Sequence, residues 1–408
     1  MESLVIISSY PPRFCGIATF VEEAIEFIKK EHPEITVHII SHLDGQGENV
    51  HPVIDLSKRN WYVPVAEEIK KLKPDVIHIQ HEYGLYNYVD EHGKSDNNGG
   101  FLKLLDLLAD FPTVVEAHTV HGRLKEKEEY FISGLLKRCT VLMLKCDYQK
   151  WRLSWTFGEE KKGRKELLRK VTVIPHGART DRRYGDDEIN SLKEELGLSE
   201  LVDRKIVGLV GWIQNNKRWD IVLDVWEELE EIIFGRIGEN WLLFAAGDIR
   251  DMNHEADYKK YINKLKEFEK MGIAKFYKFE PRGEEYYKVV AICDFIILPS
   301  IDETQSGTLA RIIAANTPYI TTAPMEGLTS QTLESDGGLL FTNRESLKRG
   351  IITMATNEKL RRRLGDHLKW YLENKVSWEL VVKQYFDVYE KAIQSRKTGK
   401  DVNYPSEF

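Results

Sequence analysis

The chain has 408 residues, 42% hydrophobic and 30% charged, with a formal net charge of −7. That length calls for two domains of about 150–200 residues, and the composition is that of a folded globular protein. The charge argues against a nucleic-acid binder, because no excess of Lys and Arg is available to neutralise a phosphate backbone. No run approaches the roughly 18 apolar residues of a membrane span. The N-terminal MESLVIISSYPPRFCG has no basic leader region, and the four cysteines form no C-x-x-C pair. A cytoplasmic protein with no metal site and no disulfide framework is expected.

Along the chain, apolar runs of strand length alternate with helical patterns, the signature of parallel sheets covered on both faces. The first half is predicted to hold strands at 4–7, 36–40, 76–79, 113–116, 141–144 and 171–174, with a helix over 17–31. The segment 176–201 is polar and charged and reads as a linker. A second set of strands follows at 205–210, 241–245, 275–278, 295–298, 319–322 and 338–341, with helices over 219–232, 256–271, 284–293 and 309–316. The tail 378–394 carries apolar residues at helical spacing and needs a folded surface to pack on. The fold class is therefore α/β, with two doubly wound, Rossmann-like domains facing across a cleft. Ligands are expected where the carboxyl ends of the strands meet that cleft.

Several residues at those ends suit chemistry. Gly16 ends Tyr10-Pro11-Pro12-Arg13-Phe14-Cys15-Gly16 at a strand-to-helix turn, where amide groups and the helix field favour an anion. The plainer reading is a tight turn. His118 follows the strand 113–116, with His121 three residues on, and His81 beside Glu82 closes another strand at the same edge. Imidazole there can donate to a sugar hydroxyl or a phosphate oxygen, although any one histidine alone reads better as a satisfied residue. In the second domain, Lys217 follows a strand within reach of a diphosphate, against the commoner fate of a solvated lysine. The run from Leu298 to Leu309 places Glu303, Ser306, Gly307 and Thr308 at the entrance of a helix, where amides cradle phosphate or a hydroxyl simply caps the helix.

Taken in order, Pro11-Pro12-Arg13-Phe14-Cys15-Gly16-Ile17-Ala18-Thr19-Phe20, Gln80-His81-Glu82-Tyr83-Gly84, His118-Thr119-Val120, Ile174-Pro175-His176-Gly177 and Ser377-Trp378-Glu379 resemble the family-four retaining glycosyltransferases of the GT-B fold, and a bacterial and archaeal branch of them. The resemblance runs through most of the chain. It implies an acceptor-side domain over 1–180, a nucleotide-sugar domain over 200–375, and a terminal helix over 376–395 that crosses back. It also implies a retaining, metal-independent hexosyltransferase. The donor substrate would be a GDP- or UDP-linked sugar, with no separate cofactor, and the acceptor a carbohydrate or small hydroxylated molecule. On the same ground His118 and Glu303 would be catalytic, and Gly16, Lys217, Ser306, Gly307, Thr308 and Arg13 would bind the donor phosphates. The acceptor would meet His81, Glu82 and His121.

Two positions depart from the family pattern. Arg311 stands where a second glutamate usually holds the ribose, and Trp212 stands where an arginine usually meets phosphate. Arg311 and Arg218 are therefore candidate nucleotide or phosphate contacts. A sugar phosphorylase on the same fold, or a degenerate sugar- or partner-binding protein, are the alternatives. The stretch 145–170 mixes Lys150, Arg152, Arg169 and Lys170 with Trp151 and Trp155. A solvated helix is the favoured reading there, and weak peripheral contact with an anionic membrane the alternative.

Overall fold

The computed structural model describes residues 1–121, 124–157, 165–250, 252–301, 306–323 and 326–404. The chain forms two compact units, Met1–His176 with Trp378–Phe408, and Gly177–Ser377.

In the first unit the strands β1 (Ser3–Ile7), β2 (Thr36–His42), β3 (Val50–Ile54), β4 (Val76–His81), β5 (Thr113–Ala117), β6 (Val141–Leu144) and β7 (Val171–Val173) form one sheet in the order β3-β2-β1-β4-β5-β6-β7. Every pairing is parallel. Helices α1 (Gly16–Glu31), α2 (Tyr62–Leu72), α3 (Gly99–Leu107), α4 (Glu126–Arg138) and α5 (Asp147–Phe157) connect the strands. The alternation of side chains along β1 sends Val5 and Ile7 into one apolar cluster and Leu4 and Ile6 into another. Both faces of the strand are therefore covered, which is why its sequence is continuously apolar. β3 was not expected. It carries Pro52 and lies at the sheet edge, where a strand tolerates a residue with no N–H to donate.

The second unit begins with α6 (Asp186–Glu195), so the segment read as a linker is part of a folded domain. Leu192, Leu198 and Leu201 join its core. Strands β8 (Lys205–Val210), β9 (Trp241–Gly247), β10 (Ala274–Lys278), β11 (Phe295–Leu298), β12 (Tyr319–Thr322) and β13 (Gly338–Phe341) form a parallel sheet in the order β10-β9-β8-β11-β12-β13. Around it lie α7 (Trp219–Leu223), α8 (Trp226–Ile237), α9 (Glu255–Lys270), α10 (Gly283–Ala291), α11 (Gly307–Ala315), α12 (Glu326–Ser335), α13 (Arg344–Thr356) and α14 (Glu358–Tyr371). The single helix predicted over 219–232 is thus two, interrupted at Asp224 and Val225.

The last helix, α15 (Trp378–Thr398), belongs to the first unit. Trp378, Val381, Val382, Tyr385, Val388, Tyr389 and Ala392 line its buried face and pack with Phe20, Val21, Ala24 and Ile28 of α1. Two of these residues also answer a buried charge. Glu116 of β5 is fully buried, and the Lys145 ammonium, equally buried, donates to its Oε1. Tyr385 OH donates to the same oxygen at 2.9 Å. Gln80 Nε2 donates to Oε2 at 2.7 Å, and His78 Nε2 lies 3.0 Å from that oxygen. Tyr389 OH is 2.7 Å from His78 Nδ1. Burial pushes the Glu116 carboxyl up, but the Lys145 ammonium and the His78 hydrogen bond outweigh it and hold it well below the usual carboxylate range.

Removing one partner of such a pair strands the other charge in the core. Lys145→Met alone is expected to cost about 3–5 kcal/mol, whereas Lys145→Met with Glu116→Leu should regain most of that loss. Urea unfolding of the two single variants and the double variant checks this through the coupling energy.

Candidate functional site

In the first unit, the residues singled out in the sequence gather at the carboxyl ends of β1, β4 and β5. α1 starts at Gly16 without a side-chain cap or an acidic residue in its first turn, and a Cβ built on Gly16 would meet nothing within 4 Å. No side chain therefore caps these terminal amides, which leaves the helix field uncompensated by its own first turn. Arg13 is part of the same turn but lies 3.4 Å from Asp44.

His118 is 9% exposed and its N–H donates to His81 O at 3.0 Å, which ties the ends of β5 and β4 together. Its Nε2 lies 2.6 Å from Gln80 Oε1. Because Gln80 must present its NH2 to the Glu116 carboxylate, its carbonyl oxygen faces His118. Nε2 is thus the protonated nitrogen and Nδ1 an acceptor. The donation expected of His118 towards a ligand is made to Gln80 instead. Phe20 sits edge-on to His118 at 5.1 Å between ring centroids, and to His176 at 4.7 Å.

His81 is a correction. At 1% exposure it lies in an aromatic box, stacked on Phe131 at 4.8 Å and flanked by Tyr83, Tyr86 and Phe101. Its ring belongs to the core, because β4 turns its last side chain inward. Glu82 is half-buried; it accepts from Thr119 Oγ1 and from the Tyr83 N–H. His121 stays half-exposed, 2.6 Å from Glu128 and stacked on Tyr83.

In the second unit, the carboxyl ends of β8, β9 and β11 are drawn close by glycine. Gly211 has φ +124°, and a Cβ there would lie 3.2 Å from Tyr286 Oη. Gly247 leaves no space at all, since an added Cβ would sit 1.9 Å from Gly211 O. The loop after β8 carries Lys217, and Asn216 O accepts from Ile301 N–H at 2.7 Å, joining that loop to the one after β11. α11 then starts at Gly307, with the Ser306 hydroxyl accepting from Leu309 N–H and Thr308 Oγ1 2.6 Å from Tyr286 Oη. Desolvation, with the Arg250 guanidinium nearby, pushes the Lys217 ammonium down to about 7. Glu303 lies outside the described residues. Arg218 is held by Asp220 at 3.0 Å. Arg311 donates to Gly307 O at 2.9 Å and rests over Tyr286 and Tyr287, bracing α11 from within.

Gln80, Glu116 and Lys145 were not singled out. Their signal was a carboxylate inside an otherwise apolar strand run, which obliges a buried cation nearby. In 145–170, Lys145 is buried rather than part of a basic surface, and Lys170 donates to Cys139 O at 2.9 Å. Trp155 is 61% exposed and Trp151 packs against it at 5.8 Å. Lys161, Lys162 and Arg164 lie outside the described residues. Among the described residues no helix is long and apolar enough to cross a membrane, and no three His, Cys, Asp or Glu side chains group to hold a metal.

Burial pushes both His81 and His118 down to about 3, helped at His118 by the Lys145 ammonium. In the unfolded chain both titrate near 6.5. Between those values the unfolded state holds two protons that the folded state does not. Stability should therefore fall as pH drops below about 6.5, by up to about 1.4 kcal/mol per pH unit for each histidine. Urea titrations between pH 7 and 4 measure this slope, and His81→Phe should remove one proton's share of it.

Residues 194–369 match the family described as Glycosyl transferases group 1. An uncharacterized glycosyltransferase of Methanocaldococcus jannaschii is 29% identical over 76 residues, a stretch that spans 18% of this chain and 19% of that protein. Among solved structures, Anabaena HepE in complex with UDP and glucose superposes with a TM-score of 0.67 at 12% identity, over 96% of this chain and 100% of that one. Sucrose-phosphate synthase from Thermosynechococcus elongatus gives a TM-score of 0.69 at 15% identity, over 97% of this chain and 100% of that one. The two parallel-sheet units thus have the Rossmann-like folds of GT-B glycosyltransferases, and the stretch that resembles the glycosyl transferases group 1 family lies within the second of them.

Proposed function

We propose that the protein is a retaining hexosyltransferase that moves a hexose from a UDP- or GDP-linked donor to a carbohydrate or other hydroxylated acceptor. The observation that carries this reading is the convergence, within the group 1 domain, of Lys217, the closely approached Gly211 and the N-terminus of α11 at one sheet edge. A cation, a backbone that admits close approach and a helix terminus are the parts that a diphosphate requires. The ligands in the HepE complex, UDP and glucose, fit the same reading. Catalysis would rest mainly on stabilising the leaving diphosphate and an oxocarbenium-like centre. His118, held uncharged by burial, would lie beside the transferred sugar, and Glu303 would bind hydroxyls of the donor. Arg311 is engaged by Gly307 O and two tyrosine rings, which weighs against the phosphorylase, the reading that needs it at a phosphate.

Thermal unfolding with UDP, GDP, ADP and inorganic phosphate tests the reading. One nucleotide at about 100 times its dissociation constant should add about 2.7 kcal/mol of stability, and Lys217→Ala should abolish the shift. A shift with phosphate alone would support the phosphorylase instead, and no shift with any of them would contradict nucleotide binding.

The lowered basicity of Lys217 adds a second prediction. Above about pH 7 its ammonium is mostly deprotonated in the unliganded protein, whereas a bound diphosphate favours the charged form. Nucleotide binding at pH 8 should therefore take up close to one proton, and affinity should weaken as pH rises further. Titration calorimetry in buffers of different ionisation enthalpy reads the uptake, which Lys217→Arg should eliminate.

A further inference from the structure

The helix α5 is apolar on both of its faces. Gln149, Leu153 and Phe157 are buried, and the last two join the core of the first unit. On the opposite face, at helical spacing, stand Tyr148, Trp151 and Trp155, with ring centroids 5.6 and 5.8 Å apart along the stripe. Trp151 is 39% exposed and Trp155 61%. A helix resting on a core ordinarily turns polar residues outward, because apolar area left in water gains nothing. A contiguous aromatic stripe on the outer face of a three-turn helix instead marks a surface that something else covers.

The charges around the stripe specify what covers it. Helical geometry sets Lys150 on one flank of the stripe and Arg152 on the other, and Arg169 is exposed in the short 165–170 helix that follows. Asp147, the acid of α5, stands in the first turn, where it answers the helix field. Residues 147–170 hold eight basic and four acidic residues, in a chain whose formal net charge is −7. This stretch is therefore a basic island in an acidic protein. Aromatic rings flanked by long basic side chains suit the headgroup layer of a bilayer. There the ring sits between acyl chains and water with its N–H or O–H still wet, and the cations reach the lipid phosphates.

Single-stranded nucleic acid, the other polyanion that uses aromatic residues, fits less well. Its bases stack on the faces of rings. Here the rings tilt 45° and 41° to one another and pack together, so they form no flat platform.

We propose that the outer face of α5 docks the protein on an anionic lipid bilayer, with Trp151 and Trp155 at headgroup level and Lys150, Arg152 and Arg169 facing the lipid phosphates. β6 ends at Leu144 and α5 begins at Asp147, so docking holds the carboxyl edge of the first sheet close to the lipid surface. The inference stands independently of the transferase reading, since no residue of the donor edge takes part in it.

The test is co-sedimentation of the full-length protein with vesicles of phosphatidylcholine alone and of phosphatidylcholine mixed with phosphatidylglycerol. Partitioning should be about tenfold or more stronger onto the anionic vesicles and should fall as salt is raised. Trp151→Ala combined with Trp155→Ala should weaken it by about tenfold or more with little change in melting temperature, because both rings lie outside the core. Lipids brominated near the top of the acyl chain should quench the fluorescence of the unaltered protein, and that of the double variant much less. No association with anionic vesicles, equal association with neutral ones, or association that survives the loss of both tryptophans would overturn the proposal. So would a protein that ignores vesicles but binds single-stranded RNA, or forms a dimer in sedimentation velocity, through the same two tryptophans.

Discussion

A buried carboxylate organises the first unit. Glu116 has no access to solvent, so its charge must be met from inside, and the groups that meet it come from three parts of the chain: Lys145 after β6, His78 and Gln80 from β4, and Tyr385 from α15. A charge in a core is tolerated only with such a full complement. The consequence runs in two directions. Towards the chain terminus it fixes α15, which pairs an apolar face with two tyrosine hydroxyls that reach the network directly or through His78. Towards the sheet edge it fixes the orientation of the Gln80 amide, and through it the tautomer of His118. A residue at the carboxyl edge of the sheet is thereby set in one hydrogen-bonding state by a charge deep in the sheet.

The second unit reaches its edge by different means. There the constraint is space rather than charge: Gly247 lets β9 meet Gly211 O where any Cβ would collide, and Gly211 itself takes a φ of +124°. The Ile301 N–H to Asn216 O hydrogen bond ties the loop of Lys217 to the one that leads to α11. Lys217 is left partly desolvated, with an ammonium of reduced basicity that gains from meeting an anion.

Much of this was legible in the sequence, for a physical reason. Parallel strands buried on both faces must be continuously apolar, so β8, β11, β12 and β13 could be read to the residue. β3 escaped because Pro52 and a polar surrounding mark a loop unless the sheet edge is known. The segment 176–201 looked like a linker because its helix α6 turns only Ile189 and Leu192 to the core amid many charges. Lys217, Ser306 and Thr308 fell at strand and helix ends as their spacing implied. His81 did not stay at the surface, since whether the last residue of a strand points in or out depends on register, which a histidine does not declare. The partners of Glu116 were hidden for a related reason: β5, β4, β6 and α15 are far apart in sequence, and only topology brings them to one carboxylate.

The most direct test is the reaction itself, followed by proton NMR of the anomeric signals when the protein is given UDP-glucose or GDP-mannose with a neutral saccharide. The account predicts loss of the donor's α-anomeric signal and growth of a new glycosidic signal that is also α, at a rate that collapses in Lys217→Ala. A β-linked product would contradict retention, and donors that bind yet remain intact with every acceptor would contradict the assignment of a transferase.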